Sequence, residues 1–146
     1  MATGDHRPAM LEPADLTELR LLVELPALRR LAERGLRDEE LAVITRLADA
    51  TMRPALKGDV AGYLQADADF HLGLLKLTGD SVLPEIGRHL LAEGGGPGTG
   101  ESGEFMRTGA SEHGELVTMI AGDLGSVADD LLRQHISRPD SAQRGA

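Results

Sequence analysis

From Asp15 onward the apolar positions fall at helical intervals. Leu16, Leu19, Leu22, Val23, Leu28 and Leu31 draw one stripe along an amphipathic face. Pro26 lies inside that run, where the missing N–H donor predicts a kink, and Gly35 supplies the stop. A second helix is predicted with Asp38 as its N-cap and Glu39 and Glu40 in its first turn, through Leu41, Ile44, Leu47 and Ala48 to Leu56. Pro54 predicts a bend in it, and Gly58 ends it. Asp59 is placed to cap a third helix carrying Tyr63, Leu64, Phe70, Leu74 and Leu75, which closes at Gly79. Asp80 or Ser81 opens a fourth, with Leu83, Ile86, Leu90 and Leu91, and Pro84 falls in its tolerant first turn. Ser111 is predicted to cap a fifth helix through Leu116, Met119 and Ile120. Beyond a Gly122-Asp123 break, a sixth carries Leu124, Val127, Leu131, Leu132 and Ile136. No segment alternates convincingly as a strand does. Six helices joined mostly by short turns predict an all-α antiparallel bundle.

The ends and one connection lack this periodicity. Residues 1–13 read as a flexible N-terminal arm, 14–137 as the helical domain, and 138–146 as a polar, disordered tail. Residues 94–103, GGGPGTGESG, read as a flexible loop; no GxxxxGK[ST] motif is present and no strand precedes it, so it is not a phosphate cradle.

Composition narrows the chemistry. With 146 residues the chain buries a core without covalent staples, and the absence of cysteine excludes a disulfide scaffold, a thiolate nucleophile and a Cys-ligated zinc site. Fifteen Lys+Arg against 24 Asp+Glu give a net charge of −9, which argues against direct nucleic-acid contact by this chain. Its aromatic residues are Tyr63, Phe70 and Phe105, so the core is built from aliphatic residues that suit helices. No apolar run approaches a membrane span, and MATGDHRPAM does not read as a signal peptide; the expected location is the cytoplasm.

Five histidines remain to be placed. Asp67 precedes His71 by four residues, so both project from one helix face and can share a metal ion. His113 and His135 are 22 residues apart across the Gly122-Asp123 break; in an antiparallel hairpin both imidazoles reach the same height. One Asp and three His form an oxygen–nitrogen donor set suited to zinc, nickel, manganese or iron. On spacing alone each is also an ordinary helix residue: His71 beside Phe70 suits a core position, and His135 near a helix end suits the dipole. His6 in the arm and His89 beside Arg88 read as ordinary surface residues.

Three stretches together resemble the C-terminal ligand-binding domain of FadR-type regulators in the GntR family, the FCD domain. TELRLLVELPALRRLAERG is similar to its first helix, with Arg20, Glu24 and Ala27 in the Arg-x-x-x-Glu-x-x-Ala pattern. LKGDVAGYLQADADFHLGLLKLTGD is similar to its GD…D-x-x-x-H…GN stretch, and SEHGELVTMIAGD with LLRQHI to its EH…GD…HL ending. The resemblance covers roughly residues 14–137. It implies an antiparallel bundle of six or seven helices around a pocket where Asp67, His71, His113 and His135 bind a divalent metal, zinc first. It implies an organic acid completing the metal's shell, and a homodimer. Arg20 matches a first-helix arginine that either pairs with Glu24 or meets the ligand's carboxylate; the helical i, i+4 pair needs no ligand to account for it.

The chain departs from the family pattern in three places. The winged helix-turn-helix that normally precedes this domain is not among these residues, Gly79-Asp80 replaces GN, and the Gly-rich 94–103 segment replaces a longer helical connection. The expectation is a metal-dependent carboxylate-sensing effector domain without its own DNA reader. An alternative is a metalloenzyme using the same Asp/His site as a Lewis acid on a small organic acid. For that reading the sequence offers Glu112 as an acid/base by proximity only, and its predicted place in a first helical turn suits the dipole as well. A third reading is a helical interaction module with incidental histidines.

Overall fold

The computed structural model describes residues 12–94 and 103–138. Among them lie seven helices: α1 (Pro13–Arg34), α2 (Asp38–Asp49), α3 (Met52–Lys57), α4 (Val60–Leu77), α5 (Leu83–Gly94), α6 (Gly103–Ala121) and α7 (Gly125–Ser137). The described residues contain no strand. The predicted all-α bundle stands. Its predicted second helix is divided into α2 and α3, so six predicted segments appear as seven helices. The division has a local cause: Pro54 cannot donate a backbone hydrogen bond, and Thr51 turns its hydroxyl back to donate to the Ala48 carbonyl at 2.6 Å.

Several predicted boundaries are met in detail. Gly35, at φ 77°, ends α1 in a backbone region that a side chain would resist, and its N–H returns to the Leu31 carbonyl. Pro26 sits inside α1 with the helix continuing on both sides. The Asp59 carboxylate accepts from the Gly62 N–H as the N-cap of α4. Asp80 accepts from the Val82 and Leu83 N–H groups ahead of α5. Asp123 takes φ 59° in the three-residue turn between α6 and α7, a conformation that Asp adopts more readily than most residues.

Other boundaries move. Pro13 begins α1 rather than ending an arm; the rest of that arm, residues 1–11, lies outside the described residues. Asp38 is the first residue of α2, behind Arg37 as its N-cap. Ser111 is an exposed residue inside α6, because that helix already starts at Gly103. Gly94 and Gly103 belong to helix ends, while 95–102 of the predicted loop and 139–146 of the predicted tail lie outside the described residues.

Helix α1 packs against α4, α5, α6 and α7, and α6 against α2, α3, α4 and α7. The main core joins Leu25, Leu28 and Leu31 of α1 to Ile44 of α2, Phe70 and Leu74 of α4, Leu116 and Ile120 of α6, and Leu132 of α7. A smaller cluster of Ala55, Tyr63, Met106 and Ala110 fills the end where α3, α4 and α6 meet. Polar clasps close the surface. The Arg29 guanidinium donates to Asp129 at 2.6 Å and ties α1 to α7. Arg34 grips Glu40 through both terminal nitrogens at 2.9 and 2.8 Å and also donates to the Leu77 carbonyl.

That last clasp carries a pH signature. Hydrogen bonds from Arg34 and from the Arg37 backbone hold the Glu40 carboxyl down at about 2, against an ordinary value of 4.5. A depressed carboxyl stabilises the fold above its ordinary range, and the contribution is lost as pH falls from about 4.5 toward 2. Glu40→Gln is therefore expected to cost about 1 kcal/mol near neutral pH. In urea unfolding across a pH series, the gap between variant and parent should close at the acid end.

Candidate metal centre

Four helices and one helix break deliver the site. Helix α4 presents Tyr63, Asp67 and His71 one turn apart on a single stripe, the i, i+4 arrangement anticipated from the sequence. Helix α6 presents Gly109 and His113 in the same way, and α7 brings His135 back across the short turn. The expected hairpin forms, since His113 and His135 meet with Nε2 atoms 3.1 Å apart. His71 Nε2 is also 3.1 Å from His135 Nε2. Asp67 Oδ1 lies 2.8 Å from His113 Nε2, 3.2 Å from His71 Nε2 and 3.8 Å from His135 Nε2. All four potential ligand atoms lie within 4.8 Å of one another. His71 and His113 are fully buried, and the Asp67 side chain keeps 18% of its surface exposed. His89 is exposed on α5, away from this cluster, and His6 lies outside the described residues.

The opposite face of each ring is also fixed. His71 Nδ1 stands 2.6 Å from Glu24 Oε1, His135 Nδ1 2.9 Å from Glu112 Oε1, and His113 Nδ1 3.0 Å from Thr51 Oγ1. The Thr51 case settles a proton. Its single hydroxyl hydrogen is directed to the Ala48 carbonyl, so toward His113 the oxygen can only accept. His113 therefore carries its proton on Nδ1 and turns the Nε2 lone pair toward Asp67. Carboxylates on the Nδ1 atoms of His71 and His135 impose the same orientation. Three imidazole Nε2 atoms and a carboxylate oxygen thus face one point, an arrangement that repels itself unless a cation or proton lies among them.

Electrostatics agree with the geometry. Burial opposes charge on His71, but the Glu24 and Asp67 carboxylates outweigh it and raise its pKa to about 9. Burial dominates at His113 and lowers it to about 4 despite Asp67. Asp67 is itself buried, a penalty overcome by His71, His113 and His135, which hold its carboxyl well below the usual range. Without a metal, the cluster keeps its proton on His71 and a neutral ring at His113.

Glu24 and Glu112 are anchored in turn. Arg20 Nε donates to Glu24 Oε2 at 2.8 Å, and with His71 it offsets burial to hold that carboxyl at about 2. Arg138 grips Glu112 with both terminal nitrogens, Nη1 to Oε1 at 2.5 Å and Nη2 to Oε2. His135 and Arg138 likewise offset burial to hold Glu112 at about 2. Arg138 was expected in a loose tail; it instead closes α7 and reaches back to α6. Glu112 was expected in a first helical turn; it lies in the middle of α6, where its carboxylate serves His135 rather than the helix dipole.

The residues fit a divalent cation. One carboxylate oxygen and three imidazole nitrogens form a suitable donor set, and separations of 2.8–3.8 Å from Asp67 to the three rings and from His135 to the other two suit ligand atoms that would lie about 2.0–2.1 Å from a common ion. The anchored Nδ1 atoms supply the outer hydrogen bonds that metal-ligating histidines ordinarily make. One further polar atom at the site is unmatched: Arg20 Nη2 is buried without a hydrogen-bond partner, within the electrostatic reach of Asp67 and Tyr63. A buried, unpaired guanidinium nitrogen is costly unless an acceptor meets it.

The chain belongs to the FCD domain family, whose profile matches residues 15–138. Among solved structures, it resembles E. coli McbR/YncC with a TM-score of 0.73 at 18% sequence identity. The match covers 84% of this chain and 59% of that one, so the chain spans less than two thirds of that protein's length. At that identity the likeness is one of fold. No curated protein matches the sequence.

Neither Thr51 nor Tyr63 is marked as a site residue by sequence pattern alone. The signal for Thr51 was available in part, since Pro54 marked the break that turns its hydroxyl inward. Tyr63, four residues before Asp67, stacks on His113 with ring planes 17° apart. Its hydroxyl lies over Gly109, where an added methyl would collide with the Tyr63 oxygen and come 3.6 Å from His135 Cε1. Gly109→Ala is therefore expected to destabilise the fold by about 1–3 kcal/mol. Guanidinium unfolding measures this loss, and an unchanged midpoint would show that the contact yields easily.

Proposed function

We propose that this chain is the metal-dependent sensing domain of a GntR-type transcription regulator, in which Asp67, His71, His113 and His135 hold a divalent ion and a small organic acid completes its shell. The observation that carries the reading is the convergence of three imidazole Nε2 atoms and one carboxylate oxygen, each ring pinned from behind at Nδ1. Membership in the FCD domain family supports an effector-sensing role.

Zinc suits three imidazoles and a carboxylate, and nickel, manganese and iron accept the same donors. The chain's own residues do the preparatory work. Glu24, Thr51 and Glu112 orient the rings, and Asp67 supplies the hard anionic ligand. Arg20 serves two ends: its Nε holds Glu24, while its buried Nη2 is available to an acid's carboxylate. The structural pairing expected for Arg20 thus coexists with ligand binding. A homodimer is part of the proposal on family grounds. None of the helices is long and apolar enough to cross a membrane among the described residues, and a small acid is the partner proposed.

An enzyme would need a further acid or base at the metal. Glu112, the candidate from the sequence, is committed to His135 Nδ1 and Arg138, which favours sensing over turnover.

The direct test is the metal content of protein purified without a histidine tag, followed by zinc titration in a calorimeter. About one ion per chain is expected. The His113→Ala/His135→Ala double variant is expected to lose it, together with the rise in melting temperature on adding zinc. Absence of binding to the parent chain would overturn the assignment. Arg20→Lys separates the second ligand: it keeps a cation beside Glu24 but loses the guanidinium fork. Zinc affinity should change little, while acetate binding to the zinc-loaded protein, read by calorimetry, should weaken about tenfold or more.

A further inference from the structure

The three rings are not held equally from behind. His113 rests on Thr51, a neutral hydroxyl fixed to the Ala48 carbonyl within one chain segment. His71 rests on Glu24, which shares its helix with its own anchor, Arg20. His135 rests on Glu112 of α6, and the anchor of Glu112 is Arg138, three residues beyond His135 at the end of α7. The chain of contacts therefore leaves α7 at His135, crosses to α6 and returns to α7 at Arg138.

We infer that Arg138 is a positioning residue of the metal centre: its forked grip on Glu112 fixes the carboxylate that orients His135, and so seats the α7 ligand. Three observations converge on it. Glu112 is 6% exposed, so its charge is costly without a partner, and Arg138 contacts both of its oxygens. Oε1 accepts from Arg138 Nη1 and from His135 Nδ1 together, so the guanidinium directly sets where the imidazole proton is received. Arg138 is also the C-cap of α7, with extended backbone at ψ 123°, so the helix stops there while its side chain reaches Glu112 on α6. A bidentate fork is required for this geometry, and Lys offers only a point charge.

The inference rests on the metal-centre reading, and the test separates the two. Zinc affinity is measured by competition with a chromophoric chelator, and the visible spectrum of the cobalt(II)-loaded protein reports ligand geometry. The parent chain, Arg138→Ala, Arg138→Lys, His135→Ala and the His135→Ala/Arg138→Ala double variant are compared. Arg138→Ala is expected to weaken zinc binding about tenfold to a hundredfold and to alter the cobalt spectrum. Arg138→Lys should recover part of the loss. In the His135→Ala background, removing Arg138 should cause no further loss, because its route to the ion is gone. An Arg138→Ala protein with the parent's affinity and spectrum would overturn the inference, as would an equal loss with and without His135. If Arg138→Ala does not fold, parent-like affinity and spectrum in Arg138→Lys would overturn it equally. A parent chain that binds neither metal would defeat the metal-centre reading itself.

Discussion

The convergence of Asp67 Oδ1 with the Nε2 atoms of His71, His113 and His135 is the constraint on which the site turns, since so many acceptor atoms can meet only with positive charge among them. An isolated helix bundle gains nothing by driving three imidazoles and a carboxylate to one point. Here they are driven there by groups on the far side of each ring, and the Thr51 hydroxyl shows the logic most plainly. Having given its hydrogen to Ala48, it can only receive one from His113, so the Nε2 lone pair is left facing inward. The Nδ1 anchors of His71, His113 and His135 hold this meeting in place, and the proposed function gives it a cation to surround.

The fold accounts for how the constraint is met. The break between α2 and α3 turns Thr51 inward, the i, i+4 stripe of α4 aligns Asp67 with His71, and the tight α6–α7 turn brings His135 level with His113. The aliphatic core fixes the helices around these points, with Phe70 packed beside both buried imidazoles. Buried carboxylates at Glu24 and Glu112 are tolerated because each has an arginine. The cluster is thus a set of charged relays supported by apolar packing, and it carries the effector-sensing proposal more directly than overall shape does.

Much of this was legible in the sequence because helices have a strong period. Asp67 and His71 lie one turn apart, and a glycine-marked turn separates His113 from His135, so all four candidate ligands could be named and are brought together. Chain ends and second partners were harder. Ser111 carried a helix-start signal, but a helix beginning at Gly103 runs through it, since a capping preference is weak against continuing packing. Arg138 had no periodic signal beyond α7, and its partner Glu112 is 26 residues away. Thr51 lies at a proline break whose consequence for the site depends on which way the hydroxyl turns, and that is set by packing. Local patterns named the candidate ligands; the groups that aim them depend on tertiary contacts.

The central claim is that all three rings present Nε2 to a common ion while Nδ1 keeps its proton. Long-range nitrogen–proton correlation spectra of 15N-histidine-labelled protein, recorded before and after zinc, test it most directly. The account predicts that in the zinc-loaded protein His71, His113 and His135 each retain the proton on Nδ1 and shift at Nε2. Any of these rings bearing its proton on Nε2 in the presence of saturating zinc, or spectra unchanged by zinc, would contradict it.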